Sequence, residues 1–171
     1  MAYRIRLIVS FLTLGLVLSG RNASAQKAPS PLAGVMVSGG VATLRAEGGG
    51  VWYPEVHLTG TGRSGWGGDL GVGVYSGDGS GVLIDASVAH IFASPRSRVG
   101  FMLLLGPAVI FGEGGTAFGA ALGGALLVRL APHFGLRIDA SPRIYIFDGS
   151  ADPGITLSFS LTSLPGAWRG K

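Results

Sequence analysis

Along residues 154 to 164 apolar and polar side chains alternate without a break, Ile155, Leu157, Phe159 and Leu161 against Thr156, Ser158, Ser160 and Thr162. A period of two places the two sets on opposite faces of a β-strand. The same division recurs where Trp52, Val56 and Leu58 oppose Glu55 and His57, and where Phe134, Leu136, Ile138, Ile144 and Ile146 oppose Arg137, Asp139 and Arg143. Charge inside the apolar stretches is confined to one register. The pattern predicts eight strands, over residues 32 to 46, 50 to 61, 65 to 76, 81 to 92, 98 to 111, 116 to 130, 134 to 147 and 154 to 164. Turn residues such as Gly62-Arg63-Ser64, Ser94-Pro95-Arg96-Ser97 and Ala131-Pro132-His133 separate them. Short turns between neighbours predict an up-and-down antiparallel meander, and an even count lets the sheet close on itself without free edges.

The composition of the non-bulky register decides which face looks inward. In a water-soluble barrel the register opposite the apolar one is solvated and rich in Lys, Glu, Thr and Gln. Here it holds Gly67, Gly71, Gly73, Gly100, Gly106, Ala108, Gly119, Ala121, Gly123 and Ala125. Small residues suit a crowded interior, and a narrow barrel has no room for all the Val, Leu, Ile, Phe and Trp of the other register. The fold class expected is therefore an all-β, eight-stranded antiparallel transmembrane β-barrel, bulky outside and small or polar within. A helical membrane protein is the competing reading, since residues 99 to 112 and 114 to 128 lack charge and Gly119 to Gly123 match GxxxG. Each run is shorter than the ~20 residues a spanning helix needs, and Pro107 and Glu113-Gly114-Gly115 interrupt them.

The N-terminal residues fit an export signal: Arg4 and Arg6, an apolar run from Leu7 to Leu18, then Ala23-Ser24-Ala25. Cleavage is expected after Ala25. The domain reading is a signal peptide over 1–25, an extension over 26–31, a barrel over 32–164 and a tail over 165–171. Losing Arg4, Arg6 and Arg21 would leave 10 basic residues against 9 acidic, so no nucleic-acid partner is implied. The absence of cysteine excludes a disulfide framework and thiolate chemistry.

Turns one, three, five and seven carry Glu47, Asp78, Glu113, and Asp148 with Asp152, whereas turns two, four and six carry Arg63, Arg96 and His133. Alternate turns lie at opposite ends of a meander, so one end should be acidic and the other basic. Trp52, Trp66, Phe111, Phe118 and Phe134 share the bulky register near the strand ends and are expected to form aromatic girdles. With these features the chain resembles the small outer-membrane β-barrel proteins, the group that includes the transmembrane domain of outer-membrane protein A. The stretch from Gly123 to Ile146 is the most similar, with its alternating strand, the Ala131-Pro132-His133 turn and Phe134-Gly135-Leu136-Arg137-Ile138-Asp139. The resemblance implies export, location in the cell outer membrane, contact with lipid and lipopolysaccharide, and insertion by the barrel assembly machinery. It departs in its short outer loops and in residues 165 to 171, which follow the last strand in place of a terminal aromatic residue; Phe159 and Trp168 are the substitutes on offer.

An eight-stranded barrel is just wide enough for side chains to fill it. The inward register offers Glu55, Asp69, Asp85 and Asp139 against Arg129, Arg137 and Arg143, with His57 nearby. Buried charges must pair. The expectation is a lumenal network in which Arg143 reaches Glu55 or Asp85, and Arg129 or Arg137 reaches Asp69 or Asp139. Catalysis is not expected. Asp85, Ser87 and His90 invite comparison with lipid A-modifying barrels, but strict alternation sends His90 to the opposite face from the other two. Glu55 and His57 alone are too few to hold a metal, and no cofactor is expected. The function expected is a structural or interaction role with a plugged lumen; the alternatives are a small-solute or ion channel and a secreted lipocalin-like lipid-binding barrel, the last suggested by Gly50-Val51-Trp52. Oligomeric state is not legible.

Overall fold

The computed structural model describes residues 30, 32–46, 49–76, 79–94, 96–113, 115–147, 150–165 and 168. The expected export signal and the turn residues Glu47, Asp78 and Asp148 lie outside them. Eight strands follow one another: β1 (Gly34–Ala46), β2 (Gly49–Thr61), β3 (Trp66–Ser76), β4 (Ser80–Ala93), β5 (Val99–Gly112), β6 (Gly115–Ala131), β7 (Phe134–Phe147) and β8 (Ser150–Ser163). Each pairs antiparallel with the next, and β8 returns to β1 through a ladder from Ser38↔Thr162 to Ala46↔Gly154, closing the barrel. The two charge-free runs weighed as helices are β5 and β6.

Ser30 donates its amide hydrogen to Arg63 in the β2–β3 turn, and the Trp168 indole donates to the Ser94 carbonyl beside the β4–β5 turn. Those residues mark one end of the barrel, here the proximal end; the β1–β2, β3–β4, β5–β6 and β7–β8 connections lie at the other, distal end. Gly65 supplies a left-handed φ of +84° in the β2–β3 turn, and a Cβ there would come within 2.7 Å of the Ile91 carbonyl. That local turn moves the start of β3 one residue past the expected position.

Four prolines lie within strands, which a ladder ordinarily rejects for want of an N–H. Each sits where one of the two ladders is interrupted. Pro54 pairs with Val41 of β1, while the β2–β3 ladder begins only at Glu55↔Gly73. Pro107 pairs with Ala120 of β6, where the β4–β5 register skips from Asp85↔Ala108 to Val88↔Leu105. Pro142 faces Ile155 of β8 at the gap between Ala121↔Arg143 and Gly124↔Ala140. Pro153 lies beyond the last β1 partner, Gly154. This last case corrects an expectation: Asp152 and Pro153 belong to β8 rather than to its preceding turn, because β8 outruns β1 and pairs there with β7 alone.

The bulky register faces outward on every strand. Val35, Trp52, Val74, Phe92, Leu105, Leu122, Ile144 and Phe159 are all exposed, Trp52 by 67% of its surface. Thr156, Ser158, Ser160 and Thr162 are buried, as are Glu55, His57, Asp69, Asp85, Arg137, Asp139 and Arg143. The barrel is thus inverted relative to a water-soluble one. Its interior is not uniformly small and polar, which corrects the expectation for that register. Met36, Ile91, Met102, Leu104, Leu127, Leu32, Leu164 and Trp168 pack together at the proximal end, and Ala42, Tyr53, Leu83, Ile110, Ala117 and Tyr145 toward the distal end. Ionic groups occupy the layer between.

The charged interior as candidate functional site

Interior charge is positioned by cross-strand pairing with small residues. Asp85 on β4 lies between Gly71 and Ala108, Arg143 on β7 between Ala121 and Gly154, and Asp139 between Ala125 and Ser158. Large side chains reach across the lumen because their lateral neighbours leave the space. His57 is opposite Gly71, and a Cβ on that glycine would fall 2.7 Å from His57 Cε1 and 2.9 Å from Nδ1. Such contacts are steric overlaps, so Gly71→Ala should push the ring away from its partners and destabilise the barrel by about 1–3 kcal/mol. Gly39, on the outer face of β1, has nothing within 4 Å of the same added atom. Gly39→Ala should stay within about 0.5 kcal/mol of the parent in urea unfolding, and equal effects at the two glycines would refute this packing account.

Two guanidiniums organise the layer. Arg137 donates through Nη1 to Asp69 Oδ1 at 2.8 Å, through Nη2 to Asp69 Oδ2 at 3.1 Å and to Asp139 Oδ1 at 2.7 Å, and through Nε to both Asp139 oxygens at 2.9 Å. Its fork thereby ties β7 to β3 across the lumen, with Thr59 Oγ1 accepting from Nη1 at 3.1 Å. The Thr59 hydroxyl in turn donates to Asp69, and Ser158 donates to Asp139 at 3.2 Å. Closer to the distal end, Arg143 Nη1 donates to Asp85 Oδ1 at 2.6 Å and to the Tyr145 hydroxyl at 3.1 Å.

His57 joins the first cluster. Its Nδ1 lies 2.9 Å from Asp69 Oδ2 and its Nε2 lies 3.3 Å from Glu55 Oε1. Both ring nitrogens therefore face carboxylate oxygens, and only a doubly protonated imidazole donates to both. Ser160 completes the Glu55 surroundings with a donation at 3.5 Å. Glu55 takes His57 and Ser160 as partners, while Arg143 takes Asp85. Each buried charge in the layer is bonded to an opposite charge or to a hydroxyl, as burial of ions demands, while Arg143 Nε has no hydrogen-bond partner among the described residues.

Arg129 stands apart from the charges it was expected to join. It lies two residues closer to the proximal end along β6 than Leu127, the partner of Arg137, beside the register shift between Arg129 and Ala131, and its Nη1 donates to the Trp168 carbonyl at 2.7 Å. Its guanidinium carbon lies 5.9 Å from the Trp168 ring centre, in cation–π range. Its side chain lies at the proximal mouth of the barrel. Trp168 is fully buried there against the proximal apolar cluster, so it closes the lumen rather than facing outward as Phe159 does. Nothing in the alternation foretold this, because the residue lies beyond the last strand.

The remaining candidate residues are spread over the outer face. Trp52, Trp66, Phe111, Phe118 and Phe134 are exposed there. Asp85 and His90 are not brought together: Asp85 is bound to Arg143 inside, whereas the His90 ring packs 4.3 Å from Trp66 and 4.4 Å from Phe92, both exposed. Ser87 remains in the inward register with Asp85.

A closed eight-stranded meander with Ser30 and Trp168 at one mouth and a charged interior can be set against solved structures. The outer-membrane protein OprG of Pseudomonas aeruginosa superposes with a TM-score of 0.54 at 10% identity, over 82% of this chain and 98% of that one. Neisserial surface protein A gives 0.52 at 16% identity, over 77% and 96%. The fold is that of the small outer-membrane β-barrels. The N-terminal barrel domain of Pseudomonas aeruginosa OprF gives 0.51 at 13% identity, over 74% of this chain and 96% of the domain. No protein-family model matches the chain, and no curated protein does. The small outer-membrane barrel architecture is thus common to these chains.

Proposed function

We propose that the chain is an outer-membrane β-barrel with a structural or interaction role, exported behind a signal peptide cleaved after Ala25 and inserted by the barrel assembly machinery. Lipid and lipopolysaccharide are its immediate partners. The observation that carries this reading is the inversion of the barrel, with bulky apolar side chains outward on all eight strands and ionised ones within. Water-soluble proteins keep contiguous exposed apolar patches to a few hundred Å². Hydrocarbon accepts such a surface, and a closed barrel leaves no backbone polar group unpaired within it. The fold neighbours named above support the location.

The lumen in this reading is closed in three layers: the proximal apolar cluster with Trp168, the Arg137 and Arg143 ion pairs, and the distal cluster around Tyr53 and Tyr145. An apolar calyx of lipocalin type does not fit that ionic middle. The role is non-catalytic, with Asp85 and His90 on opposite sides of the wall.

The test is whether membrane-fraction protein, kept folded in detergent, shifts its gel mobility on heating, and whether it passes current in a planar bilayer. A heat-modifiable band without conductance is the expected result. Stepwise conductance would replace the plugged barrel with a channel, and a band that stays soluble without detergent would overturn the membrane reading altogether.

A further inference from the structure

Among the described residues, the acidic side chains fall in two places only. Glu55, Asp69, Asp85 and Asp139 are inside the barrel, and Glu113 and Asp152 are exposed at the distal end, where Ser80 donates to Glu113 at 2.9 Å. The proximal rim has none. It carries Arg63 in the β2–β3 turn, Arg96 and Arg98 in the β4–β5 turn and His133 in the β6–β7 turn, all exposed. No carboxylate among the described residues pairs with Arg63, Arg96 or Arg98.

The wall beneath three of these arginines is aromatic. Trp66 on β3 pairs with His90 on β4, and Phe92 pairs with Phe101 on β5. The Trp66, His90 and Phe92 rings form one outward cluster, with centroids 4.3 Å apart for Trp66 and His90 and 4.4 Å apart for His90 and Phe92, and the exposed Phe101 ring extends the wall toward Gly124 on β6. Aromatic side chains of this kind settle at the boundary between hydrocarbon and head groups. Arginines in the turns directly beyond them are then at the depth of the lipid phosphates, and a guanidinium fork matches phosphate oxygens in a way that a point charge does not.

We propose that the Arg63, Arg96 and Arg98 sector of the proximal rim, above Trp66, His90, Phe92 and Phe101, binds the head groups of anionic phospholipids in the leaflet at that end. The inference rests on the membrane reading given above. It is specific to one end and one side of the barrel, because the distal rim presents Glu113 and Asp152 alongside its one described arginine, Arg45, whereas the proximal sector gathers three arginines and no described carboxylate. The arginines carry charge that no carboxylate among the described residues offsets, so a net negative head group is preferred to a zwitterionic one, whose own cation competes for the phosphate. The acyl chains of the same lipid lie against Trp66, Phe92 and Phe101.

Trp66 lies in the sector and Trp52 near the distal end, and this gives an internal control. The full chain is folded into vesicles containing either acyl-brominated phosphatidylglycerol or acyl-brominated phosphatidylcholine at equal mole fraction. The Trp52→Phe variant reports Trp66 and the Trp66→Phe variant reports Trp52, with Trp168 buried in the lumen as a constant background in both. Trp66 should be quenched more by the anionic lipid, corresponding to a local preference of about fivefold, and the preference should fade in 0.5 M salt. It should vanish when Arg63→Gln, Arg96→Gln and Arg98→Gln are combined, changes in exposed turns that leave the barrel intact. Trp52 should show no preference. Equal quenching of Trp66 by the two lipids would overturn the proposal while leaving the membrane reading in place. A preference that survives the triple variant would overturn the role of these arginines. Absence of quenching at both tryptophans by either lipid would instead sink the membrane reading, and the head-group site with it.

Discussion

Replacing Arg137 by methionine should cost the barrel about 3–5 kcal/mol, the largest loss expected from any interior substitution. The side chain is 1% exposed and serves two carboxylates at once, Asp69 across the lumen and Asp139 on its own strand. Removing it leaves Asp139 without a cation and Asp69 with His57 alone, in a space closed at both ends by apolar side chains. Hydrophobic area does not offset this, because methionine gains little contact in a layer built of hydroxyls and carboxylates. Arg137→Lys should rescue only part of the loss: one ammonium lacks the fork that reaches Asp69 through two nitrogens and Asp139 through Nε and Nη2. Adding Asp69→Asn and Asp139→Asn to Arg137→Met should recover most of it, since the unpaired charges are then gone. Urea unfolding in lipid vesicles, followed by the gel-mobility shift, measures each value. A loss below about 1 kcal/mol for Arg137→Met would mean that the interior ions are hydrated and the lumen is wet.

The alternation that fixes strand register was readable from β2 onward because it is local, whereas both registers of β1 are mixed between Val35 and Arg45. Gly71 and Gly73 on β3 mark positions where the His57 and Tyr53 side chains of β2 need room, so even the crowding of the interior left its mark on the chain. The choice of partners was only half readable. Arg143 with Asp85, and Arg137 with Asp69 and Asp139, were among the pairs the inward register allowed, but Arg129 was equally eligible by parity. What excludes it is depth along the axis and the register shift beside it, and neither is written in an alternating pattern. Trp168 was invisible for a related reason: it acts through the chain's return into the barrel mouth, a contact made with Ser94, Arg129 and the proximal cluster far away in sequence. The strand prolines were readable as oddities only. Their tolerance depends on which of two neighbouring ladders is broken, and that is a property of the closed sheet.

The orientation of the barrel wall can be tested at two adjacent residues. Leu157 lies midway along β8, exposed on the outer face between Thr43 and Ala140, and Ser158 faces inward and donates to Asp139. If hydrocarbon surrounds the wall, Leu157→Arg brings a guanidinium to the middle of the bilayer and should cost about 2–4 kcal/mol. The penalty should shrink for Ile155→Arg and Leu161→Arg, which lie nearer the two ends of the strand, because the side chain then reaches the interface. In water the same three substitutions would be exposed surface changes, each within about 0.5 kcal/mol of the parent and with no dependence on depth. Ser158→Leu separates the faces from the other direction. It removes a hydroxyl from a buried carboxylate and adds bulk to a filled lumen, so it should destabilise the barrel in either solvent. Unfolding free energies in vesicles that fall at Leu157 and recover toward both strand ends would establish the bilayer as the solvent of the bulky register. A flat profile along Ile155, Leu157 and Leu161, with the loss confined to Ser158, would show that the apolar wall is covered by something other than lipid.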